Sequence, residues 1–168
     1  MPKFTYGFST EMKYKNLDLA VSLQGVQGNK IANIFRRYID NMEGGNNCQI
    51  DALDRWVSED DPGSGLVVRA NRSATGMNGT TSTWHIEDGS YLRIKNITLG
   101  YTLPKDWLSN VGINHLRVYL STQNPFTFTK YSGYNPEVNM KGNSLTPGID
   151  YGTYPLAKSF VFGLNVTF

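Results

Sequence analysis

The stretch that decides the fold is LAKSFVFGLNVTF, Leu156 to Phe168. Phe160, Phe162, Leu164, Val166 and Phe168 recur at every second position, with Ser159, Val161, Gly163, Asn165 and Thr167 between them. Strict period two makes a strand with one large apolar face and one small, mostly polar face. Two environments accept such a strand. In a soluble sandwich the apolar face packs on a second sheet. In an outer-membrane barrel it faces lipid, and the polar face lines a wet lumen.

The same period recurs upstream. From Asn114 to Phe128, Leu116, Val118, Leu120, Phe126 and Phe128 share one side, with Arg117, Tyr119, Ser121 and Gln123 on the other. Pro125 cannot donate to a ladder and marks a bulge or the exit from the sheet. From Ser90 to Leu103, Ile97, Leu99, Tyr101 and Leu103 form the apolar side, and unbroken alternation adds Tyr91, Arg93 and Lys95 to it. Leu17 to Gly25 and Lys3 to Tyr14 complete the set, as a hairpin around Lys15-Asn16, where Asn accepts the positive φ of a tight turn. Five strands are expected, all with matched apolar faces.

Composition agrees with an all-β chain. Of 168 residues, 18% are charged, below the usual quarter, and 12% are aromatic, including ten Tyr and eight Phe. The net charge of +2 gives no basic stripe for nucleic acid. The acidic run Glu59-Asp60-Asp61 reads as a solvated loop. No window is long and apolar enough for a transmembrane helix, which leaves transmembrane strands open. Met1-Pro2-Lys3 runs straight into a strand pattern, so no signal peptide is expected within the chain. Cys48 has no cysteine partner, and no His or Cys cluster has metal-ligand spacing.

Between the second and third strands, Val26 to Gly89 breaks the alternation. Ile31, Ile34, Phe35, Tyr38, Ile39 and Met42 have helical spacing, predicting a helix over Ile31 to Asn41. A second short helix is predicted around Ile50 to Val57. Asp60 to Gly65 is a turn cluster, and Ala74 to Thr83 reads as loop. Thr129 to Pro155 is a second long loop. The connections therefore run short, very long, medium, long. In an antiparallel meander this puts both long loops at one end, the outer-membrane pattern of short inner turns and long external loops.

At IEDGSYLRIKNITLGYTLP (Ile86 to Pro104), TQNPFTFTKYSGYNPE (Thr122 to Glu137) and YPLAKSFVFGLNVTF (Tyr154 to Phe168) the chain resembles the carboxy-terminal end of SusC/RagA-type TonB-linked outer-membrane transporters. PKFTYGFS and LQGVQGNKI (Leu23 to Ile31) fit the same family in the same order. The resemblance covers essentially the whole chain. It implies a barrel of about 22 antiparallel strands with an amino-terminal plug. Such a barrel imports oligosaccharides or peptides beneath a SusD-type surface lipoprotein, energised by a TonB complex. The five strands are expected to be the last five, as a carboxy-terminal barrel segment over 1–168 without a plug domain. Five strands cannot close, and an open sheet in a bilayer would leave unsatisfied edges, so the remainder of the barrel is the expected partner.

The terminal strand carries a second implication of the resemblance. Phe160, Phe162, Leu164 and Phe168 match the signal read by the outer-membrane barrel assembly machinery; the plainer reading is a strand facing outer-membrane lipid. Among loop aromatics, Trp56, Trp84, Tyr131 and Tyr134 are the candidates for substrate contact, since an aromatic face stacks on a sugar ring. Tyr151 and Tyr154 lie in the same loops. Packing within the loop is the competing role for each. Arg117 and Gln123 are expected to face the lumen. No catalytic, metal or cofactor site is expected: His85 and His115 fall on different elements, and no nucleophile motif accompanies them. The segment from Asp51 to Asp61 lacks calcium-loop spacing. The competing class is a soluble β-sandwich carbohydrate-binding module, which requires a second sheet to cover the apolar faces.

Overall fold

The computed structural model describes residues 1–43, 47–72, 80, 82–109, 112–138 and 147–168. Two compact units are present. One holds five long strands: β1 (Phe4–Tyr14), β2 (Leu17–Gln27), β5 (Tyr91–Thr102), β6 (His115–Thr129) and β8 (Ser159–Thr167). They form an antiparallel meander in the order β1-β2-β5-β6-β8. Among the described residues β1 and β8 do not pair, so the sheet is open at both edges.

Alternation sorts the side chains as period two requires. The rows Met12–Leu19–Leu99–Leu120–Phe162 and Tyr14–Leu17–Tyr101–Val118–Leu164 run across all five strands on one face. Among the described residues that face is bare: Met12, Leu99, Leu120, Phe162 and Leu164 are each half exposed or more. No second sheet lies against it within this unit, so the sandwich alternative lacks its covering layer. In the tight turn it is Lys15, not Asn16, that takes the positive φ, at 53°.

One expectation fails within β5. Unbroken alternation placed Tyr91, Arg93 and Lys95 on the apolar side. The ladder instead slips at Lys95. Where β2 steps from Ser22 to Leu23, β5 steps from Asn96 to Ile94, and β6 steps from Gln123 to Phe126. The bulge widens by one residue per strand, and Asn124, beside Pro125, accommodates it with a φ of 50°. Above the bulge Leu92 and Ile94 therefore continue the apolar face beside Leu23, Phe126 and Phe128. Tyr91 and Arg93 move to the polar face. Arg93 is 1% exposed, its Nε donates to Thr127 Oγ1 at 2.9 Å, and Gln24 donates to the Tyr91 hydroxyl at 3.0 Å.

The second unit consists, apart from Met1, of Lys30–Gly89 and Tyr131–Tyr154, the two long connections of the meander. Its sheet has three short strands: β3 (Lys30–Asn33), β4 (Ile86–Asp88) and β7 (Ile149–Asp150), ordered β4-β3-β7. β3 pairs antiparallel with β4 and parallel with β7, so the sheet draws one strand from the second loop. The helix expected from Ile31 is shorter, α1 (Ile34–Ile39), because Lys30 to Asn33 are held as strand. Asn33 closes that strand and caps the helix: its Oδ1 accepts from the Arg36 N–H at 3.3 Å. The second predicted helix is a 3-10 turn, Ile50–Asp54. A single helical turn, α2 (Lys105–Leu108), lies in the β5–β6 connection. The predicted loop Ala74 to Thr83 falls largely outside the described residues. Ile31, Tyr131 and Val138 form the small core of the loop unit.

Candidate functional site

Two polar clusters organise the loop unit. The first centres on Glu87 of β4. Its Oε1 accepts from Asn33 Nδ2 at 3.0 Å, Ser132 Oγ at 2.8 Å and Arg36 Nη1 at 3.3 Å, and its Oε2 accepts from the Ser132 N–H at 2.8 Å. Burial opposes the charge on Glu87, but these donors outweigh it and hold the carboxyl below its ordinary value. The second cluster centres on Asp150 of β7. It accepts the Tyr131 hydroxyl at 2.5 Å and the N–H groups of Gly152 and Thr153 at 2.8 and 2.7 Å. Burial again opposes ionisation, and the donors again win, so Asp150 is lowered. Burial and the adjacent carboxylate push the Tyr131 hydroxyl up, keeping it a donor.

Arg36 links the first cluster to a cavity of about 640 Å³ in the same unit. Its Nε donates to Asp40 Oδ2 at 2.6 Å, and its guanidinium lies 5.3 Å from the Trp84 ring centre. Ile39, Met42, Leu66, Val67 and Val68 line the cavity together with Trp84. His85, beside Trp84, is buried and its Nδ1 accepts the Ser82 N–H at 3.3 Å. Burial, helped by the charge of Arg36, holds the His85 pKa below its usual value.

The four aromatic candidates separate. Trp84 is 48% exposed at the cavity, and Tyr134 is 71% exposed. Trp56 is half-buried, its N–H bonded to the Val67 carbonyl at 3.2 Å, and it does not line the cavity. Tyr131 is 5% exposed and offers solvent no face; its hydroxyl ties it to Asp150. Tyr151 and Tyr154 are exposed.

On the polar face of the long sheet, Arg117 of β6 reaches over β5 to Asp18 of β2. Its Nε and Nη2 donate to Oδ1 and Oδ2 at 2.9 and 2.5 Å. The residue beneath is Gly100, where a Cβ would meet Arg117 Nη2 at 2.4 Å and both Asp18 oxygens within 2.6 Å. The Arg117 guanidinium also lies 5.1 Å from the Tyr119 ring centre, and that ring covers Gly163 of β8. Asp18, Gly100, Tyr119 and Gly163 are direct neighbours along one row. Large side chains thus lie flat over glycines. A polar hollow of about 490 Å³ adjoins the row, lined by Glu11, Lys13, Asp18, His115 and Arg117 among others. Gln123 is exposed on the same face, opposite Asn96. Phe160, Phe162, Leu164 and Phe168 are all exposed, the first three at alternate positions of β8.

Sequence reasoning passed over Glu87, Asp150, Arg36 and Asp18. Glu87 lies in an Ile-Glu-Asp-Gly run that resembles any turn, and its partner Ser132 is 45 residues away. A signal for Asp18 exists in principle: a lone carboxylate, a glycine and an arginine on the same face of three successive strands.

An open antiparallel wall with a bare apolar face, a polar opposite face and both long loops at one end defines a segment of membrane β-barrel. No family model matches the chain. It is 34% identical over 99% of its length to TonB-dependent receptor P3 of Formosa agariphila, covering 16% of that protein. It is 31% identical over 96% of its length to TonB-dependent receptor SusC of Bacteroides thetaiotaomicron, covering 15% of it. The RagAB peptide importer in its "open-open" state superposes with a TM-score of 0.79 at 29% identity, over 100% of this chain and 17% of that one. The chain thus spans about a sixth of the length of the curated relatives it matches. Over all its length it is a homologue of SusC/RagA-type TonB-dependent receptors, and it folds as a segment of their barrel.

Proposed function

We propose that these residues are the last five strands of an outer-membrane TonB-dependent importer of large solutes such as oligosaccharides or peptides. The observation that carries this is similarity to such receptors along nearly the whole of this chain, at 34% identity, joined to an apolar face left bare among the described residues. The long sheet supplies barrel wall, its apolar side against outer-membrane lipid and its polar side toward the lumen and plug. The loop unit faces the exterior, where a SusD-type lipoprotein closes over the solute and Trp84 and Tyr134 offer it aromatic faces. The energy comes from a TonB complex through the plug. Phe160, Phe162, Leu164 and Phe168 present the terminal strand to the assembly machinery.

The test is a chimera in which the 168 residues replace the aligned segment of SusC. The expected product resides in the outer membrane, runs as a heat-modifiable barrel, and has Asp60 to Gly65 accessible from outside the cell. Cysteines at Leu99 and Leu120 label from the lipid phase. A chimera that assembles but labels those positions only from water would overturn the assignment of faces. Material that stays soluble and folded in the periplasm would favour the soluble module.

A further inference from the structure

We infer that the cavity beside Trp84 binds an apolar group bearing an amine, such as the first residue of a peptide: an aliphatic wall and an aromatic ring receive the body, and the Asp51 carboxylate receives the ammonium. The inference rests on the reading of the loop unit as exterior.

The cavity is of the size that holds a small ligand, and most of its wall is hydrocarbon: Ile39, Met42, Leu66, Val67 and Val68, with Trp84 beside them. Its charge is unbalanced toward acid. Arg36 is the one arginine or lysine among its described lining residues, and it is already engaged by Asp40 and Glu87. Asp51, also on the wall, is exposed and makes no ion pair among the described residues. Asp40 gives Oδ2 to Arg36, while its Oδ1 is buried with no hydrogen-bond partner. Neither oxygen of Asp40 is therefore open to the cavity, and Asp51 is the carboxylate that the wall offers. A sugar ring is a poorer occupant. It would set several hydroxyls against aliphatic carbon and leave them unpaired. An ammonium on an apolar body matches both halves of the wall.

The experiment is saturation-transfer NMR with phenylalanine amide, on the refolded 168-residue chain in detergent and on the SusC chimera. N-acetylphenylalanine amide, which lacks the charge, and maltose are the comparison probes. Transfer to the ring protons of phenylalanine amide is expected, with the acetylated probe at least tenfold weaker and maltose silent. A52W, which fills the cavity, and W84A are expected to abolish the signal. D51N is expected to weaken the amine and leave the acetylated probe unchanged. Equal binding of the two amides, competition by maltose, an unaffected A52W, or no transfer in either sample would overturn the site. Binding by the isolated chain when the chimera fails to reach the outer membrane would sink the transporter reading and keep the site. Assembly without binding would do the reverse.

Discussion

Arg117 and Asp18 meet across a strand to which neither belongs. Their bidentate contact on the polar face passes directly over Gly100, the ladder partner of Asp18. Charged hydrogen bonds of this kind are worth about 1.5–3 kcal/mol, less where water reaches them. Replacing Gly100 by Val is therefore expected to separate the pair and cost about 1–2 kcal/mol. G100V and D18N, made in the chimera, should lower the temperature of its heat-modifiable transition by similar amounts. The double variant should add little to either alone. Full additivity would mean that Gly100 matters for the backbone and not for the pair.

Inserting an alanine after Lys95 adds a second residue to the bulge of β5 and shifts the phase of the strand before it. Tyr91 and Arg93 would then turn to the apolar side. An arginine on a lipid face costs about 2–4 kcal/mol at mid-bilayer and less near the surface. The insertion is expected to abolish outer-membrane assembly of the chimera, whereas deleting Lys95, which removes the bulge residue and keeps Tyr91 and Arg93 on the polar face, is expected to assemble. Equal behaviour of the two would show that the phase of β5 is not what places Arg93.

The loop unit should loosen with acid in two stages. The folded unit depresses His85, so its stability is complete above the ordinary histidine pKa near 6.5 and declines as pH falls below it. Glu87 and Asp150 are also depressed. Their contribution is present above ordinary carboxylate values and lost as pH falls through the lower folded ones. Hydrogen exchange of Lys30–Asn33 and Ile149–Asp150, followed from pH 8 to 3 and corrected for intrinsic rates, reads both stages. H85N keeps an acceptor for Ser82 and does not titrate, so it should remove only the upper stage.

Tyr131→Phe takes one donor from the buried Asp150 and leaves the ring in the core. The expected cost to the loop unit is about 1–3 kcal/mol. It should appear as faster exchange in β3 and β7 together, with the long sheet unaffected. A loss confined to β7 would mean that the two loops fold separately.

Phe168 follows the last strand and is 83% exposed. F168A is expected to reduce several-fold the amount of chimera reaching the outer membrane, while the assembled fraction keeps its heat-modifiable transition. A lowered transition would make Phe168 a stability residue and not part of an assembly signal.

The long strands were legible because a sheet with one apolar and one polar face imposes a rule on every second residue. From Ser159 to Phe168 and from Leu17 to Gln24 every large apolar residue but Val161 keeps to one side, and the strand ends lie within a few residues of those expected. β5 was misjudged above Lys95 because a bulge changes phase without leaving a composition signal, and only pairing with β2 reveals it. The loop unit was the least legible part. β3, β4 and β7 are four, three and two residues long, too short for any period to show. Ile31 and Ile34 fit helical spacing but belong to a strand and a helix. Tyr131 looked like Tyr134 in sequence, and only the position of Asp150 assigns one to the core and leaves the other in solvent.

The shared sheet of the loop unit also bears on how such sequences can diverge. Loops of membrane barrels ordinarily vary independently, because each answers only to its own strands. Here Ser132 in one loop supplies two of the donors to Glu87 in the other, and β7 completes the edge of β3. A change confined to one loop would leave a buried carboxylate or an open strand edge in its neighbour. The two loops are therefore one structural unit, and an alteration of either has to be answered in the other.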